Sequence, residues 1–212
     1  MENLGMPTET LKVRLTLTED ILGTLPSNPD IYSTYIASKS DMKDEEVERM
    51  KATKEIIDEE LSGKEKEPPE TLTVFVRDDD ENPCVYDYLI KGFFKNANKA
   101  LRLSDFAKCK KLSAYKTKID NLLFITPRLI KLETDQPVTY CERPLRASTA
   151  QGERIALSAS ESLPAGTTLE FTIHSLNKEM MTYVREYLDY GQLNGLGQWH
   201  NSGKGRFTWE EI

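Results

Sequence analysis

Apolar and polar residues alternate from Leu11 to Leu17, which places Leu11, Val13, Leu15 and Leu17 on one face of a half-buried strand. Leu25-Pro26-Ser27-Asn28-Pro29-Asp30 has turn chemistry, and Asp30 can cap a short helix through Ile36. Asp41 to Leu61 predicts a charged helix with a thin apolar stripe of Met42, Val47, Met50, Ile56, Ile57 and Leu61. Residues 38–70 read as an acidic helical insertion or arm. Leu72 to Val76 predicts a second strand, closed by the acidic turn Asp78 to Pro83.

Tyr86 to Leu103 has helical periodicity, with Leu89, Ile90, Phe93, Phe94, Ala97 and Leu101 on the apolar side and Lys91, Lys95, Lys99 and Arg102 on the other. Gly92 costs such a helix about 1 kcal/mol against alanine, which points to close approach by another backbone. A basic link, Lys108 to Lys118, leads to an expected strand from Asn121 to Leu132, bent near Pro127. Arg143 to Arg154 is polar and loop-like. Thr167 to Ile173 alternates again, and Lys178 to Tyr190 is a second amphipathic helix stopped by Gly191. The order is that of an α+β chain and fits a ferredoxin-like βαββαβ core carrying decorations.

The 212 residues suit one domain, 1–212, with the acidic insertion inside it. No run approaches eighteen apolar residues and the start lacks a signal-peptide pattern, so a cytoplasmic protein without a membrane partner is expected. Cys84, Cys109 and Cys141 read as reduced, buried thiols, with no metal-ligand spacing and no activating context. With only His174 and His200 besides, neither metal nor cofactor is expected. Asp78, Asp79 and Asp80 lack the glycine and terminal glutamate of a calcium loop and read as a hairpin tip.

Charge divides the chain, whose formal net is −7. Asp41 to Glu81 holds 16 acidic and 7 basic side chains; Lys91 to Arg154 holds 14 basic and 6 acidic. Two readings of the basic block stay open: a solvated face, or a phosphate-binding surface to which Arg143, Arg146 and Arg154 contribute charge.

The C-terminal segment from Gly191 to Phe207 is the most informative. Gly195, Gly197, Gly203 and Gly205 are spaced G-x-G-x5-G-x-G. Backbone without Cβ atoms can turn its N–H groups toward an anion, Lys204 and Arg206 add positive charge, and Trp199 offers a stacking plane. These are the parts needed to hold a nucleic-acid backbone; the alternative is a glycine-rich hairpin packed on the core. Neither a dinucleotide fingerprint nor a P-loop occurs.

The glycine pattern resembles the C-terminal glycine-rich loop of the RAMP superfamily, the ferredoxin-like RNA-binding proteins of CRISPR systems. Leu89-Ile90-Lys91-Gly92-Phe93-Phe94-Lys95 is similar to that family's first helix, and Leu163 to Phe171 to the proline-glycine turn and strand before its last helix. The resemblance covers roughly residues 8–25 and 71–212. It implies that Lys91 and Lys95 face RNA phosphates, that Gly92 lies near the glycine loop, and that Gly195, Gly197, Gly203 and Gly205 shape a groove beside Lys204 and Arg206. The chain also resembles small proteins encoded by phages and prophages of Gram-positive bacteria.

Two functions follow as expectations. One is a protein that holds single-stranded RNA, with a CRISPR effector or other defence-system protein as possible company. The other is a phage anti-defence protein acting through protein–protein contacts or mimicry of an effector subunit, with the acidic arm as its operative surface. RAMP-like processing enzymes resemble metal-independent ribonucleases that use a general base. The usual early-helix histidine has no counterpart here, Tyr86, Tyr88 and Lys91 are unspecific substitutes, and Asp30 is an unspecific match to an effector-subunit aspartate. His200, inside the glycine loop, is the one catalytic candidate and reads better as a hydrogen-bonding or ligand contact. His174 reads as structural.

Overall fold

The computed structural model describes residues 7–27, 72–149 and 152–212, giving the backbone alone for 145–149 and 152–156. The expected acidic helix Asp41–Leu61, the insertion 38–70 and Asp30 lie outside the described residues. The chain divides into two compact units by its contacts: one holds residues up to 21, 85–135 and 164–212, the other 22–84 and 136–163.

In the first unit the alternating leucines form β1 (Glu9–Leu17). Two short strands follow in sequence, β2 (Ile21–Leu22) and β3 (Leu25–Pro26), then β4 (Thr73–Val74), β5 (Val76–Arg77) and β6 (Pro83–Tyr86). Helix α1 spans Asp87–Leu101, α2 Tyr115–Leu122 and α3 Lys178–Tyr190. The remaining strands are β7 (Leu123–Thr126), β8 (Leu129–Lys131), β9 (Thr139–Thr149), β10 (Gly152–Leu163), β11 (Thr168–Ser175) and β12 (Phe207–Glu211).

Four strands of the first unit pair antiparallel in the order β12-β1-β11-β7. Taken with α1 between β1 and β7 and α3 between β11 and β12, this is the ferredoxin-like arrangement. Period two does the sorting: Leu11, Val13, Leu15, Leu17, Leu169, Phe171 and Ile173 are buried, each contributing about 1.5–3 kcal/mol by leaving water. Helix α1 turns Phe93 edge-on to Phe207 at 5.4 Å and Phe94 toward Tyr187 of α3 at 5.6 Å. Asn98 donates to the Tyr187 hydroxyl at 2.7 Å, which gives that buried phenol a partner. Asn177 caps α3 by accepting from the Glu179 amide at 2.8 Å. On the opposite face of the sheet the cations are already matched: Arg14 lies between Glu170 and Glu210, and Lys12 is 3.4 Å from Glu170. The hydrogen bond from Arg14 holds the Glu170 carboxyl below its ordinary range.

The second unit corrects one expectation. Arg143–Thr149 and Gly152–Arg154 are strand rather than loop: β9 and β10 pair antiparallel from Thr139↔Ser162 to Thr149↔Gly152. Cross-strand hydrogen bonds between the two strands form whatever the side chains are, so the pairing needs no apolar rhythm. Ser160 of β10 pairs parallel with Thr73 of β4, which in turn pairs with β3. Arg77 and Glu161 form a buried ion pair at 2.6 Å, and Glu161 also accepts from the Phe75 amide at 2.7 Å. The three aspartates do sit at a hairpin tip between β5 and β6, where Asp78 accepts from the Asp80 and Asn82 amides.

The expected strand from Asn121 to Leu132, bent near Pro127, is two strands: α2 runs through Leu122, β7 ends at Thr126 and β8 begins at Leu129 in another sheet. No helix among the described residues is long and apolar enough to cross a membrane.

Candidate nucleic-acid interface

The glycine-rich segment connects α3 to β12 and has a buried neck and a more exposed apex. At the neck the Leu196 amide donates to the Gly205 carbonyl at 2.8 Å, and the Gly205 amide donates to the Asp20 carbonyl at 2.7 Å. A Cβ on Gly195 would overlap the Lys204 carbonyl, and one on Gly205 would overlap that of Leu196. A Cβ on Gly191 would run into the Phe207 ring. These three glycines are therefore demanded by packing.

The apex runs from Gly197 to Lys204 and differs in kind. Gly197 and Gly203 have φ of 84° and 90°, a region that L side chains enter with strain of about 1–3 kcal/mol. Yet the nearest atoms to a Cβ on Gly203 are those of the Arg206 guanidinium, at 3.5 Å and beyond, so this site has room. Trp199 also has positive φ, at 57°, and the residue is 39% exposed. His200 holds the turn through Nδ1, 3.0 Å from the Gly197 carbonyl. A carbonyl only accepts, so Nδ1 carries the proton and the neutral ring's Nε2 is its basic nitrogen. Arg206 is exposed, whereas Lys204 is matched by Asp20 at 2.5 Å.

Lys91 and Lys95 turn elsewhere. The Lys95 ammonium meets the Asp120 carboxylate of α2 at 2.5 Å. Lys91 lies over the Phe124 ring of β7 at 5.0 Å and reaches the Asp120 carbonyl at 3.4 Å. Burial lowers its pKa from the ordinary lysine value. Phe93, which carries the α1 contact to Phe207 at the base of the glycine segment, is about 200° round the helix from Lys91. The structure thus brings the glycines, Lys204 and Arg206 together and sets Lys91 and Lys95 toward α2 and β7.

Gly92 also departs from expectation. Outside its own helix backbone, no atom among the described residues comes within 4 Å of where its Cβ would stand, so no neighbouring element crowds it. The residue leaves an open place on α1 beside the two lysines. Tyr86 and Tyr88 stack at 5.2 Å with Arg128 over both rings, and Arg128 pairs with Asp87 at 2.5 Å. Of the charge-based candidates, Arg143 is buried in β9, and the side chains of Arg146 and Arg154 lie outside the described set. His174 lies on β11, 2.9 Å from the Thr126 hydroxyl. Cys84 and Cys109 are buried, and burial with neighbouring Glu186 pushes the Cys109 thiol up to about 12.

Sequence reading missed Asp20, which matches Lys204 from 184 residues away. No local pattern marks such a pair.

No protein-family model and no curated protein matches the sequence. Among solved structures, a chain of a type III-B Cmr-beta complex bound to cognate target RNA is similar, with 11% identity and a TM-score of 0.50. The match covers 97% of this chain and 60% of that one, so the present chain spans less than two thirds of its neighbour. A chain of a type IV-B CRISPR complex matches at 11% identity and a TM-score of 0.49, covering 96% of this chain and 90% of that one. At this identity the first likeness concerns the fold alone, and it agrees with the ferredoxin-like core.

Proposed function

We propose that the protein holds single-stranded RNA as a RAMP-like component of, or companion to, a CRISPR effector, and that it binds rather than cleaves. The observation that carries this reading is the glycine apex: a tight turn with Trp199 and Arg206 exposed, set on the ferredoxin-like core. The exposed Arg206 guanidinium suits a phosphate, and the indole suits a base. The fold adds support, because the similar Cmr-beta complex is bound to target RNA.

Lys91 and Lys95 enter as a second contact. Gly92 leaves open space on α1 beside them, where a phosphate can approach. It must compete with Asp120 for Lys95. Lys204, matched by Asp20, contributes less free charge than the sequence alone suggests.

The test is fluorescence anisotropy with a labelled single-stranded RNA. Gly203→Glu places a carboxylate in the apex and should weaken binding about tenfold or more, while Gly203→Asn, which tolerates positive φ, should retain it. Equal affinity of the wild type and Gly203→Glu would overturn the reading.

A further inference from the structure

The loop after α1 carries two large apolar side chains in nearly full solvent. Leu103 is 88% exposed and Phe106 95%. Between Lys99 and Lys118 the chain has seven basic side chains, Lys99, Arg102, Lys108, Lys110, Lys111, Lys116 and Lys118, against the single acid Asp105.

This loop is anchored. The Glu186 carboxylate of α3 accepts from the Lys108 amide at 2.7 Å and from the Cys109 amide at 2.8 Å, holding the start of a 3-10 turn at Lys108–Lys111. Cys109 and Leu112 are buried beneath it. The Phe106 amide donates to the Ser104 hydroxyl at 3.2 Å. Arg102 lies over the Tyr115 ring at 5.6 Å. The backbone is fixed from below and the aromatic ring is presented outward.

Two occupants suit cations around an apolar tip: an acidic protein segment and a polyanion with stacking bases. Lysine is depleted in protein–protein interfaces, and a stable one needs about 800 Å² on each side around an apolar centre. Six of the seven cations here are lysines, and the tip offers one ring and one leucine. Lysine rows around an aromatic plane are the usual equipment for single-stranded nucleic acid.

We infer that Phe106 and the lysines Lys108, Lys110 and Lys111 form a further single-strand contact, in which Phe106 stacks a base and the lysines neutralise phosphates. The inference extends the RNA reading above and rests on it for the class of ligand, but uses different residues.

The test is photo-crosslinking of the full chain to a 4-thiouridine-containing single-stranded RNA, with crosslinked peptides mapped by mass spectrometry. Anisotropy on Phe106→Ala runs beside it. A crosslink in the peptide bearing Phe106, with affinity about tenfold weaker in Phe106→Ala and an unchanged melting temperature, supports the inference. Crosslinks confined to 197–206 with unchanged affinity in Phe106→Ala overturn it and leave the glycine-apex reading standing. Crosslinks at Phe106 alone support it while removing that reading. Absence of any RNA binding overturns both, and an acidic protein partner then becomes the better match for the loop.

Discussion

In the proposed function the glycine-rich segment and the lysine-rich stretch from α1 to α2 meet a polyanion with different materials. The first is built from backbone: three glycines pack its neck, two turn its apex, and Lys204 is tied to Asp20. The second is built from side chains: exposed lysines on a loop fixed by Glu186. Shape comes from one region and net positive charge from the other. Substitutions should therefore fail differently in the two places.

The largest effect belongs to the neck. Gly195→Val or Gly205→Val forces a side chain into backbone with nowhere to move and should cost about 3 kcal/mol or more in urea unfolding. A cost under about 1 kcal/mol would mean that the neck is not the packed element described here. Trp199→Ala at the apex should weaken RNA binding several-fold with little change in stability, since the indole is partly in water.

A gentler change sharpens the contrast from the other side. Asp120→Asn releases Lys95 from its carboxylate and should raise RNA affinity about twofold to threefold. Weaker binding in this variant would show that the pair positions Lys95 rather than restrains it. The smallest effect is chemical. With its thiol pushed up to about 12, Cys109 stays protonated at about pH 8, so iodoacetamide should label the partly exposed Cys141 well before it. Equal labelling rates in the native protein would contradict the buried anchor under the lysine loop.

Much of the core was legible because its signals are local. The alternation of Leu11, Val13, Leu15 and Leu17 made β1 readable, and the helical spacing of Met181, Val184 and Leu188, with Gly191 after them, gave α3 its observed limits. The β9–β10 ribbon was not readable, since cross-strand pairing holds it without an apolar face to announce it. In the candidate site, the glycines stood out by spacing, but which of them pack and which turn depends on partners such as Phe207 and Leu196. The direction of Lys91 and Lys95 depends on Asp120, which periodicity within α1 cannot reveal. Lys108 to Lys118 looked like a plain basic link because Glu186, which fixes it, lies on another helix.

The division between shape and charge is tested most directly by the salt dependence of RNA affinity between about 50 and 200 mM. The wild type, Trp199→Ala and the triple variant Lys108→Ala, Lys110→Ala, Lys111→Ala would be compared. Trp199→Ala should shift the line of log affinity against log salt downward at constant slope. The triple variant should flatten that slope by about 2, the value for three phosphate contacts on a single strand. A wild-type slope near zero, or a triple variant parallel to the wild type, would contradict the division.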